Sequence, residues 1–151
     1  MADHLRDQIL DALKTAITGL TTTASRVYAD RTDALAASEL PGLTIVQASE
    51  SCDTETFTYP RLVKANFDVQ VSAFDARTAA QADARKRANT IAKEVQAAIA
   101  AARSLGGLCK FINLVQTDFD LDTEGDQPAA VARMRYAVNH CFYENAPDVP
   151  A

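Results

Sequence analysis

Apolar residues recur at three- and four-residue steps along the first twenty positions: Leu5, Ile9, Leu13, Ile17 and Leu20. That period predicts an amphipathic helix with one apolar stripe. Asp3 is placed to cap its start and Gly19 to end it. SRVYAD (25–30) then predicts a short strand, and RTDALAASELPG (31–42) a polar loop closed by Pro41 and Gly42. LTIVQAS (43–49) predicts a mostly buried second strand through Leu43, Ile45 and Val46. ESCDTETFTYPRL (50–62) is acidic at its start and contains Pro60. It reads as a long excursion between two antiparallel strands, the kind of loop in which binding residues concentrate.

The clearest alternation lies in KANFDVQVSAFD (64–75). Ala65, Phe67, Val69, Val71 and Ala73 fall on one side of a strand, and Asn66, Asp68, Gln70 and Ser72 on the other. Asp75 is then expected to cap a long second helix over 76–103. Ala88, Ile91, Ala92, Val95, Ala98, Ile99 and Ala102 form its narrow face, and Gly106 and Gly107 are expected to end it. KFINLVQTDFDLD (110–122) predicts a fourth strand with Phe111, Asn113, Val115, Thr117, Phe119 and Leu121 on one face. After a turn at TEGDQP, residues 129–144 predict a fifth strand. Its inner face carries Ala132, Met134, Tyr136, Val138, His140 and Phe142, and its outer face Arg133, Arg135, Asn139 and Tyr143. The two prolines of NAPDVPA (145–151) argue against regular structure there. The sum is one α+β domain over 1–145 with an extended tail over 146–151. Two helices cover the apolar face of a mainly antiparallel sheet of four to five strands.

Composition narrows the function classes. With 151 residues the chain supports one domain with a real core. A formal charge of −5 disfavours a nucleic-acid backbone as the main partner, since phosphate binding needs surplus Lys and Arg. Cys52, Cys109 and Cys141 form no CxxC pair and no zinc pattern with His4 or His140, so they read as free thiols in a reducing compartment. The N-terminus carries Asp3, Asp7 and Asp11, unlike a signal peptide, and no apolar run is long enough to span a membrane. A soluble cytoplasmic product is expected.

Few groupings of residues suggest chemistry. Taking Asp120 as position one, Asp122, Glu124 and Gly125 fit positions three, five and six of a calcium loop. Position twelve is Val131 where a bidentate Glu is needed, so a solvated acidic loop is the better reading. His140 and Cys141 are strand neighbours that point to opposite faces and cannot act as a base–nucleophile pair. His140 reads as a core histidine and His4 as solvated. Arg85, Lys86 and Arg87 read as a solvated helix face beside Asp83 and Glu94. No nucleophile elbow, HExxH, P-loop or dinucleotide fingerprint occurs. The residues support no catalytic, cofactor or metal assignment, and no enzyme is expected.

The order of these elements resembles a known family. An amphipathic helix (HLRDQILDALKTAI) leads to a strand opening Arg-Val-Tyr (SRVYADR), and Leu-Pro-Gly then opens a buried strand (ELPGLTIVQASE). An acidic excursion, an alternating strand ending in FDVQVSAFD and a long helix follow. An Arg-x-Arg-Tyr strand with a Pro-bearing tail (ARMRYAVNHCFYENAPDVPA) closes the chain. This looks like the tail terminator (minor tail, or tail completion) proteins of long-tailed bacteriophages, over nearly the whole chain. The resemblance implies a virion protein of the tail and neck, assembled in the host cytoplasm. It implies a homohexameric ring that caps the tail tube, ends tube polymerisation and joins the head-completion (stopper) protein. DNA would cross the ring without specific binding, and six copies would carry a formal charge of about −30, which does not hold DNA back.

Within that expectation the contact residues are Glu50, Asp53, Glu55 and Arg61 of the excursion, and Arg133 and Arg135 of the last strand. Their opposite charges suit complementary contacts between copies or partners. Each alone is equally compatible with an ordinary surface charge. Two other classes stay open: another head–tail joining protein (neck stopper or connector), and a non-virion ligand-binding or regulatory α+β domain.

Overall fold

A computed structural model describes residues 2–31, 33–76, 83–121 and 130–151. Helix α1 (Leu5–Ile17) precedes strands β1 (Val27–Ala29), β2 (Gly42–Thr54) and β3 (Leu62–Phe74). Helix α2 (Ala84–Ala102) and strands β4 (Phe111–Leu121), β5 (Ala130–Tyr143) and β6 (Ala146–Pro150) follow. The strands form one sheet in the order β1-β2-β3-β5-β4, with β6 also on β5. The class is α+β, as the patterning predicts, with both helices packed on the sheet. The sheet is mixed, because β1 pairs with β2 in parallel while the other pairs are antiparallel.

The core is built from the predicted faces. Leu5, Ile9, Leu13 and Ile17 of α1 are fully buried in one cluster with Phe67, Val69 and Val71 of β3 and Met134 and Val138 of β5. Burying each of these aliphatic side chains favours folding by about 1.5–3 kcal/mol. From α2, Ile91, Val95 and Ile99 complete the same cluster, and small Ala88 and Ala92 bring the helix close to the sheet. Gly19 takes the left-handed conformation (φ 87°) two residues past α1, where a side chain would be strained.

Several local expectations give way. The N-cap of α1 is His4, not Asp3: the Arg6 backbone N–H donates to His4 Nδ1 at 3.2 Å. Asp75 does not cap α2, whose described part begins at Ala84 after Asp83. Asp75 is buried instead, and Arg87 Nε donates to both its carboxylate oxygens at 3.1 and 3.0 Å. Burial pushes the Asp75 carboxyl up, and Arg87 offsets this in part. α2 ends at Ala102 with Arg103 as its C-cap, ahead of the glycines.

The excursion is largely strand. β2 runs on to Thr54 because it keeps pairing with β3, through a bulge at Ala48 between Gln47 and Ser49. Only residues 55–61 remain as loop. The tail also joins the sheet: β6 lies against the end of β5, and Ala151 N–H donates to the Cys141 carbonyl at 2.9 Å. Its prolines are tolerated because a strand at the sheet's edge needs donors on one side only.

β4 departs furthest from expectation. A bulge at Val115, between Leu114 and Gln116, reverses which residues share a face. Phe111 and Asn113 pair with Asn139 and Ala137 on the outer side, while Thr117, Phe119 and Leu121 pair with Met134, Ala132 and Ala130 on the helix side. The single apolar face expected over 111–121 is therefore split in two. Most of the strand is exposed even on the helix side, since α2 does not cover it.

Candidate assembly surfaces

The described structure offers four features that could carry function: an open polar sheet face, a hairpin tip, an apolar edge strand, and one buried charged cluster.

The polar side of β3 faces away from both helices. Its residues bond across the surface: Asn139 donates to Asn66 at 3.0 Å, Ser49 to Asp68 at 3.1 Å, and Gln70 to Ser72 at 3.3 Å. Arg133 and Arg135 stand in this field on β5, opposite Ser72 and Gln70. Arg133 meets Asp120 only at 3.5 Å, and Arg135 reaches Gln116 at 3.4 Å, so both guanidinium groups keep donors for other partners.

The β2–β3 hairpin ends in residues 55–61, where Phe57 is fully exposed and Tyr59 is 75 % exposed. Charged pairs brace its base: Lys64 Nζ lies 2.8 Å from Glu55, and Arg61 makes a two-toothed contact with Glu144 at 2.8–3.1 Å. Asp53 is exposed opposite Lys64. The hairpin acids and the outer arginines are far apart within one protomer. Asp53 is level with Lys64 and Arg135 with Gln70, six residues further along β3, a separation of about 20 Å. Any pairing between the two groups must therefore join different copies.

Edge strand β4 exposes Phe111, Leu114, Val115, Phe119 and Leu121. Between it and α2 runs a groove. One part, about 230 Å³, is lined by Gln96, Ile99, Ala100, Ile112, Leu114 and Tyr136. It continues past Arg103, Lys110 and Phe111, and a further hollow of about 290 Å³ lies at the Phe119–Leu121 end. Long apolar edge strands invite pairing and are normally protected.

Glu50 is the one expected contact residue that the fold turns inward, because the Ala48 bulge shifts it to the helix face opposite Phe67. Its carboxylate lies 3.0 Å from Arg6 Nη1 and 2.9 Å from His140 Nε2. This correction takes its charge out of the surface set. His140 is fully buried and stacks near Phe142, so it is a core histidine held by a carboxylate. Cys141 faces the other way, opposite Lys64. Burial pushes the His140 imidazole below its ordinary value, against the opposing pull of Glu50.

That direction fixes a pH dependence. The unfolded chain takes up the proton first, so the His140 contribution to stability is complete above about pH 6.5 and is lost as pH falls through the folded value. Urea unfolding should therefore show stability falling between pH 7 and 5, with a flatter profile in His140→Gln. The substitution itself should cost about 1 kcal/mol at neutral pH, because Gln can still donate to Glu50. Identical pH profiles for the two proteins would contradict this assignment.

Neither Cys52 nor Cys109 is activated by its surroundings. Burial raises Cys109 to about 11, and burial together with Glu50 raises Cys52. Among the described residues no three His, Cys, Asp or Glu side chains are grouped to hold a metal. Of the residues that fit positions of a calcium loop, Asp120 is described, while Asp122, Glu124 and Gly125 lie outside the described residues. In the basic helix patch, Arg87 is held by Asp75 and Lys86 lies 3.9 Å from Asp83, leaving Arg85 as its free cation among the described residues. Among the described residues no helix is long and apolar enough to cross a membrane.

A scan against protein-family models and a search of curated proteins return no match. The hairpin aromatics and the β4 edge were not among the expected contact residues. An aromatic pair inside an otherwise polar loop, Phe57 and Tyr59, was the available signal. For β4 none was available, because a bulge cannot be read from alternation.

Proposed function

We propose that this protein is a tail terminator of a long-tailed bacteriophage: a small α+β protomer that forms a ring on the finished tail tube. The ring stops tube polymerisation and presents a surface to the head-completion protein. The observation that carries the reading, beside the family resemblance, is the placement of adhesive surface. Exposed aromatic and aliphatic side chains gather at a hairpin tip and along an edge strand, and a polar face with two outward arginines lies open. A ring subunit needs such separate surfaces, one pair for its neighbours and one for the structures it joins.

The net charge of −5 per chain supports a channel that lets DNA pass. On this reading the protein acts by binding alone, as a homohexamer with the tail tube protein and the stopper protein as partners. Deleting the gene from its phage and measuring tail lengths tests the proposal.

A further inference from the structure

We propose that the ring's lateral joint is formed by the hairpin tip of one copy seated in the α2–β4 groove of the next. The inference rests on the ring reading above and specifies which surfaces make the ring.

Two complementary features meet its needs. Phe57 and Tyr59 project from the tip, and Phe57 touches none of its own protomer's apolar surface. The groove, lined by Ile99, Ala100, Ile112 and Leu114, offers an apolar trough beside a strand edge that has no partner among the described residues. Their charges also match. Asp53 precedes the aromatics on the hairpin and Arg103 stands at the groove's mouth, whereas Glu55 and Lys110 are already engaged within the protomer by Lys64 and the Ala151 carbonyl. Arg103 has no side-chain ion pair among the described residues.

The placement suits a closed assembly. The tip extends from β2 and β3, and the groove lies beside β4 at the far edge of the sheet. A joint between different patches is head-to-tail, and successive head-to-tail joints close into a ring when the rotation allows. Burying two aromatic side chains covers roughly 300–500 Å². That is about half of the roughly 800 Å² per partner typical of a stable interface, with the flanking charges and the β4 edge left to supply the rest.

The test uses the full chain in a Cys52→Ser background, which removes the exposed native thiol. Thr58→Cys, between the two aromatics, is placed in one preparation and Ala100→Cys, in the groove wall, in another, and the two are mixed with a short bismaleimide. A cross-linked dimer is expected in the mixture and not in either preparation alone. Phe57→Asp should weaken assembly about thirtyfold or more, as loss of a central aromatic anchor does, with circular dichroism unchanged. Rings that form normally with Phe57→Asp, and give no mixed cross-link, would overturn the joint and leave the ring reading standing. A mixed cross-link with open filaments in place of rings would uphold the joint and count against the ring. Wild-type protein that stays monomeric at every concentration would overturn both.

Discussion

Phe67→Asp is expected to yield a chain that does not fold. Phe67 is 1 % exposed at the centre of β3, packed among α1, α2 and β5 side chains. The substitution removes a large apolar group and places a buried carboxylate across from that of Glu50, whose one guanidinium partner, Arg6, is already engaged. An unpaired buried polar group costs several kcal/mol before the lost aromatic packing is counted, against a typical total stability of about 5–15 kcal/mol. Asn66→Ser and Gln70→Ser alter the neighbouring residues on the open face and should leave the fold intact. Each removes one surface hydrogen bond, Asn66 to Asn139 and Gln70 to Ser72. Circular dichroism separates the two groups. If all three variants behaved alike, the assignment of faces along β3 would be wrong.

Reversing Arg133 and Arg135 to Glu should leave a folded protomer that no longer caps tails. Both side chains are on the solvent side of β5, and their contacts to Asp120 and Gln116 are long. New acids opposite Asp118 and beside Asp120 add like-charge repulsion of about 0.2–1 kcal/mol per pair, which a folded domain tolerates. A partner that approaches this face through carboxylates loses two planar, bidentate donors and meets repulsion in their place. Binding to assembled tail tubes should fall below detection in a pelleting assay, while the thermal unfolding transition remains cooperative. In phage complementation, full heads should stay unattached. Normal attachment and infectivity with the double variant would remove both arginines from the interface.

Much of the fold was legible because the burial pattern obeys simple periods. The inner faces of β3 and β5 are buried residue for residue as alternation predicts, and the α1 stripe is buried from Leu5 to Ile17, with Leu20 beyond the helix and only partly buried. The two departures in strand facing share a physical cause. A bulge inserts one residue and exchanges the faces beyond it, and composition does not signal its position. The bulge at Ala48 turned Glu50 from a surface acid into the partner of Arg6 and His140, and the one at Val115 divided the apolar residues of β4. Edge position was equally hidden. Phe111 and Phe119 look like core residues until the sheet order leaves β4 without an outer neighbour among the described strands. For the same reason, Asp53, Glu55, Arg61, Arg133 and Arg135 could be named as surface charges, but not which of them already had partners. Glu55 and Arg61 are bridged within the protomer to Lys64 and Glu144. The two arginines of β5 are the less committed pair.

The central claim, that this protein ends tube polymerisation, is tested most directly by the distribution of tail lengths in particles assembled without it. Electron microscopy of a lysate from a phage lacking this gene should show tails of abnormal length beside full, unattached heads, and supplying the gene in trans should restore one sharp length. Tails of normal, uniform length in the deletion would contradict the claim.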